Sequence, residues 1–125
     1  MADQLFPDSS HDLSRIRRQL APTAATAFHE FSAAVFAAGA LSRRIKHIIA
    51  VAAAHVTQCP YCIRGHTRAA LQEGVSNEEL MEAIWVAAEM RAGAAFAHSI
   101  IAVSEMHNNC QPLAEAGRPA VTRGI

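Results

Sequence analysis

The apolar positions of this chain recur at helical spacing. Leu13, Ile16 and Leu20 predict a first helix over Asp8 to Gln19, with Ser9 or Ser10 as its cap and Pro22 closing it. Phe28, Phe31, Val35 and Phe36 carry the pattern through Thr23 to Ala38, a second helix opened by Pro22 and suited to end at Gly39. Ser42 caps a third, running through Ile45, Ile48, Ile49, Ala52 and Val56 to about Thr57. Pro60 stands where a fourth helix has its first residue, a position that needs no N–H, and this leaves Cys59 at or beside the N-cap.

The fourth helix carries Tyr61, Ile63, His66, Ala69, Ala70 and Leu71 and stops at Gly74. Ser76-Asn77-Glu78-Glu79 then fits a capping box, with Ser76 as cap and Glu79 reaching back, and Leu80, Ile84, Ala87 and Ala88 follow at helical spacing. A last helical stretch is expected from about Ala92 through Phe96, Ile100 and Val103 to Met106, with Gly93 as a candidate break. Met81, Trp85, Met90 and Phe96 stand at core spacings and read as packing, and His98 as a core or interface histidine. No alternation long enough for a strand occurs. The expectation is an all-α domain of five or six helices over residues 1–125, with 111–125 as a flexible or partner-crossing tail.

Composition adds a constraint. Alanine makes up about a fifth of the 125 residues and aromatics only 6%. Alanine favours helix but buries little area per side chain, so a domain this small gains little from its own core, and a homo-oligomer would supply the missing burial. Eleven basic residues balance eleven acidic ones without a long basic run, which argues against a nucleic-acid groove. At 51% hydrophobic and 18% charged the chain is expected to fold. The longest apolar stretches, from Ile48 and from Ala92, are interrupted by His55 and His98, so no membrane span is expected. The first ten residues lack the regions of a secretion signal, and three cysteines do not form a staple framework. These readings point to a cytoplasmic protein with chemically active thiols.

Cys59-Pro60-Tyr61-Cys62 followed by Ile63-Arg64-Gly65-His66 is the densest reactive cluster. On a helix Cys62 and His66 lie on neighbouring turns and can touch. The half-in position of Cys59 frees it from helical dihedrals, so a reversible Cys59–Cys62 disulfide needs no disruption of the helix. Unpaired N–H groups and the helix dipole favour a thiolate there, and His66 can accept the proton or act as a neighbouring cation, so one cysteine of the pair is expected to be acidic. Two other readings stand beside this: inert buried cysteines, and zinc held by both thiols and His66 with His47, His55 or Cys110 as fourth ligand. His47 and His55 share one side of the preceding helix, which a short turn would fold back along the cysteine helix. His47 is the better candidate for a relay. His11, His29 and His107 read as solvated-face residues, and Cys110 as a spare thiol.

The run from Ser42 to His66, with its Ile-Ile-Ala-Val-Ala and Cys-Pro-Tyr-Cys-Ile-Arg-Gly-His, resembles the alkylhydroperoxidase AhpD-like branch of the carboxymuconolactone decarboxylase family. Gly74-Val75-Ser76-Asn77-Glu78-Glu79-Leu80, Glu82-Ala83-Ile84 and Arg91-Ala92-Gly93-Ala94-Ala95 extend the likeness, which covers about Leu41 to His107. The resemblance implies a helical bundle assembled as a trimer or hexamer and a thiol-dependent peroxidase or disulfide reductase that needs no metal or organic cofactor. It implies that Cys62 attacks the peroxide, that Cys59 resolves the sulfenic acid, that His66 belongs to a proton relay, and that an external dithiol reduces the disulfide. One position departs. Twelve residues before the first cysteine the hydroperoxidase pattern has a glutamate as proton acceptor, and here His47 stands there. The alternatives are decarboxylation or isomerisation of a small acid on the same scaffold, and a metal-binding or redox-sensing oligomer.

Overall fold

A computed structural model describes residues 5–7 and 10–110, so the tail expected over 111–125 lies outside the described residues. The helices are α1 (His11–Leu20), α2 (Pro22–Phe36), α3 (Arg43–Thr57), α4 (Pro60–Gln72) and α5 (Asn77–Cys110), and the described residues contain no strand. Contacts divide the chain into two compact units, residues 1–88 and 89–125.

In the first unit each helix begins where a side chain can satisfy its unpaired N–H groups. The Ser10 hydroxyl accepts from the Leu13 N–H, and the Ser42 hydroxyl accepts from the Ile45 N–H, each at 3.2 Å. Ser76 and Glu79 close the expected box: the Ser76 hydroxyl accepts from the Glu79 N–H at 3.1 Å and Glu79 Oε2 accepts from the Ser76 N–H at 2.8 Å. Glu79 does a second job. Its carboxylate also receives the Arg44 guanidinium, tying the first turn of α3 to that of α5. That hydrogen bond from Arg44, followed by the one from the Ser76 backbone, holds the Glu79 carboxyl below its ordinary range.

The turn between α3 and α4 is tight. Gln58 takes a left-handed conformation (φ 56°, ψ 44°), costing roughly 1–2 kcal/mol for a residue with a Cβ, and its N–H and that of Cys59 both reach the Ala54 carbonyl. The chain reverses within these residues, and α4 packs along α3 more extensively than any other pair of helices. Val51, Ala70, Val75 and Leu80 form the buried centre, with Ile48 and Ile84 against it.

The second unit contains the distal part of α5, where the Ser99 hydroxyl donates to the Phe96 carbonyl at 2.6 Å and the Asn109 amide to the Glu105 carbonyl at 3.0 Å. Several expectations change along this helix. Gly93 does not interrupt it: a glycine in a helix interior costs only about 1 kcal/mol, and the flanking Ala92, Ala94 and Ala95 favour helix. Met81, Trp85, Met90 and Phe96 are exposed rather than core, with Phe96 83% accessible, and His98 is exposed as well. Helical spacing marks a face for burial without saying what buries it. By length and composition alone α5 is apolar enough to cross a membrane, a property that core helices of soluble proteins share.

Val51 is fully buried, so Val51→Ala should lower the unfolding free energy by about 2 kcal/mol, and Ser76→Ala by about 1 kcal/mol. Urea midpoints at constant slope measure both. Wild-type midpoints would contradict the assigned core and cap.

Candidate active site

Cys59 is the N-cap of α4, extended at φ −95° and ψ 103°, with Pro60 as the first helical residue. Freed from helical dihedrals, it forms a disulfide with Cys62 across a Cα–Cα separation of 5.3 Å. Cys59 Sγ also takes the place a serine oxygen usually fills, accepting from the Cys62 N–H at 3.2 Å. The two sulfurs are therefore not equivalent. Cys59 is half-buried and capped by an N–H, whereas Cys62 is exposed and lines an open cleft of about 610 Å³ with His47, His66, Arg43 and Tyr61.

The short turn brings two of the sequence candidates together. His47 of α3 and His66 of α4 meet with their Nδ1 atoms 3.2 Å apart, one donating and the other accepting. His47 is 6% exposed, and its Nε2 is buried without a hydrogen-bond partner among the described residues. Burial, then repulsion from His66 and Arg43, lowers the His47 pKa below the ordinary 6.5, against a smaller raising effect of Glu73. His55 is not brought to the site: its Nδ1 donates to the Val51 carbonyl one turn back at 2.7 Å. His29, read from sequence as a solvated-face residue, is exposed and lines the same cleft.

Sequence reasoning missed Phe36, whose ring stacks on both imidazoles at centroid distances of 4.8 Å. Its helical spacing matched ordinary core packing, and nothing local distinguishes the two roles. Arg43 was also missed: its Nε donates to Glu73 Oε1 at 2.9 Å and its Nη1 to the Phe36 carbonyl at 3.4 Å. The basic start of the third helix was the available signal. Tyr61, between the cysteines, donates its hydroxyl to the Pro7 carbonyl at 3.0 Å and meets Phe6 edge to face. Among the described residues no group of three or more His, Cys, Asp or Glu is placed to hold a metal ion. A disulfide that can open to a dithiol, beside a close imidazole pair, can take up and give back two electrons and exchange protons.

A profile of the carboxymuconolactone decarboxylase family matches residues 22–105. A Paracoccus denitrificans protein described as uncharacterized protein 4 in cox locus is 57% identical over 99 residues, spanning 79% of this chain and 88% of its own. A crystal structure from Methanobacterium thermoautotrophicum matches with a TM-score of 0.64 at 37% identity, covering 66% of this chain and 93% of its own. A carboxymuconolactone decarboxylase family protein from Thermotoga maritima, described as having a possible part in an antioxidative response, matches with a TM-score of 0.50 at 28% identity over 70% of this chain and 96% of its own.

The lowered His47 pKa fixes the sign of a pH effect. In the unfolded chain this ring takes a proton near 6.5, and in the folded protein only at lower pH. Between those two values the unfolded state binds more protons, so stability falls as the pH drops below 6.5, and above it this contribution is constant. The urea midpoint should therefore decline on mild acidification, and His47→Gln should decline less. Equal declines would contradict the assignment.

Proposed function

This chain belongs to the carboxymuconolactone decarboxylase family, and from that premise we propose that it is a thiol-dependent peroxidase of the alkylhydroperoxidase kind. The observation carrying this reading is the Cys59–Cys62 disulfide, whose exposed sulfur shares a cleft with two imidazoles. In the reduced protein the Cys62 thiol gives its proton to the His66–His47 pair. The thiolate attacks the terminal peroxide oxygen, the S–O bond forms as the O–O bond breaks, and the alcohol leaves with a proton returned from the imidazoles. Cys59, whose sulfur is stabilised as a thiolate by the Cys62 N–H, then attacks the Cys62 sulfenic acid, forming the disulfide and releasing water.

The balance is one peroxide and two thiols to one alcohol, one water and one disulfide. An external dithiol restores the pair, attacking the accessible Cys62 sulfur so that the N–H-supported Cys59 thiolate departs. The antioxidative association of the Thermotoga maritima relative agrees with this reading. No cofactor enters the scheme. A second reading is favoured by the lining itself, whose described residues include Arg43, His29, His47 and His66 and no carboxylate: an enzyme acting on a small acid, with the thiols dispensable. We further propose a cytoplasmic homo-oligomer of three or six subunits, in which copies cover the apolar residues that α5 exposes, among them Phe96, Ile100 and Met106.

Peroxide consumption with a dithiol donor should fall to background in Cys62→Ser, whereas Cys59→Ser should react once and not turn over. Parent-rate consumption by Cys62→Ser would contradict the peroxidase reading, and turnover of a small acid by the double Cys→Ser variant would select the second. Light scattering at micromolar concentration should give at least a trimer mass; a monomer would contradict the assembly.

A further inference from the structure

The contact between His47 and His66 needs an explanation, because two rings that both carry positive charge would repel one another. Their Nδ1 atoms lie 3.2 Å apart, so one must bear a hydrogen and the other a lone pair. Two imidazolium rings would set N–H against N–H and break the contact. While it stands, the pair accepts one proton from solution or thiol and refuses a second, and its titration belongs to the pair rather than to either ring.

The two histidines come from different helices, and the group that spans them is Phe36. Its ring is nearly parallel to His47 (9°) and inclined by 26° to His66, with both centroids 4.8 Å away, while the imidazole centroids are 5.4 Å apart. Phe36 is itself held in place. At the C-terminal end of α2 the carbonyls of Val35, Phe36 and Ala37 would lack helical partners; Lys46 Nζ donates to the first and third at 2.7 and 2.6 Å, and Arg43 Nη1 donates to the second at 3.4 Å. Arg43 and Lys46 precede His47 on the first turns of α3. One stretch of α3 thus supplies both the imidazole and the cations that bring α2 and its aromatic ring over it.

We propose that Phe36 is the positioning residue of this imidazole pair, holding His47 and His66 in the hydrogen-bonded arrangement that carries a single exchangeable proton. The aromatic face favours one shared imidazolium. The second proton is opposed by the burial of His47, by the positive charge already on its partner, and by Arg43; Glu73 acts in the other direction, with its carboxylate engaged by Arg43. Lys46 beside His47 in the chain adds positive charge, His29 also lines the cleft, and no carboxylate is among the described residues that line it. For thiol chemistry the consequence is an acceptor that takes one proton and has to release it before it takes another. The kinetic consequence rests on the peroxidase reading; the titration does not.

The test follows the imidazole nitrogens by NMR across pH in the full-length protein, oxidised and reduced, for wild type, Phe36→Leu and Phe36→Tyr. Wild type should take up one proton in the near-neutral range and the second only at clearly lower pH. Phe36→Leu keeps an apolar side chain but loses the plane, so its imidazoles should titrate as two independent rings, and Phe36→Tyr should restore the wild-type curve. In the reduced protein, the pH profile of Cys62 alkylation by iodoacetamide should change in Phe36→Leu, with a rate loss at neutral pH of about tenfold to a hundredfold, the range of a misplaced proton acceptor. A Phe36→Leu titration matching wild type would overturn the proposal, and so would equal behaviour of the leucine and tyrosine variants. If the leucine variant does not fold, the wild-type curve decides: two independent ordinary titrations would overturn the proposal on their own. Loss of peroxidase activity with intact one-proton titration would count against the functional reading alone.

Discussion

The left-handed turn at Gln58 is the constraint from which the site follows. It reverses the chain between α3 and α4 within two residues, so that Cys59 falls at a helix N-cap and His47 can meet His66 on the adjoining helix. Neither consequence is available to a chain that leaves α3 in another direction. An extended N-cap can place its sulfur over the first turn, where N–H groups lack partners, and a regular helical residue cannot. The reactive pair and its imidazoles are therefore products of one local geometry, supported by the Val51–Ala70–Val75–Leu80 core behind them.

The substitution of His47 for the glutamate expected from the hydroperoxidase pattern changes the electrostatics of this arrangement. A carboxylate beside His66 would attract a proton and stay negative after giving it up. An imidazole pair is neutral when empty and positive when loaded, and the burial of His47 opposes its own protonation. Its cleft, with Arg43, His29 and both imidazoles in the lining, also carries the opposite charge preference from one built around a glutamate.

What the chain order revealed, and what it concealed, divides along physical lines. The caps at Ser42, Cys59 and Ser76 were legible because a cap is written in four consecutive residues, and each forms where the sequence places it. The closeness of Cys59 and Cys62 was legible for the same reason. His47 was reachable through the short turn and was preferred there to His55; the packing of α3 sets His47 against His66 and turns His55 to the Val51 carbonyl. Phe36 was not legible as part of the site, since helical spacing says that a residue is covered and not by what. The exposed side chains of α5 show the same limit: Trp85 and Phe96 satisfy every pattern for a core residue, yet the core they suit is not within the described residues of one chain.

The account stands on Cys62 rather than Cys59 as the sulfur that meets the oxidant. Trapping with dimedone decides this most directly: reduced Cys59→Ser protein is given one equivalent of an alkyl hydroperoxide, and the adduct is located by peptide mass spectrometry. A stoichiometric adduct on Cys62 is the predicted result. No adduct while the peroxide persists, or an adduct only on Cys110, would contradict the account.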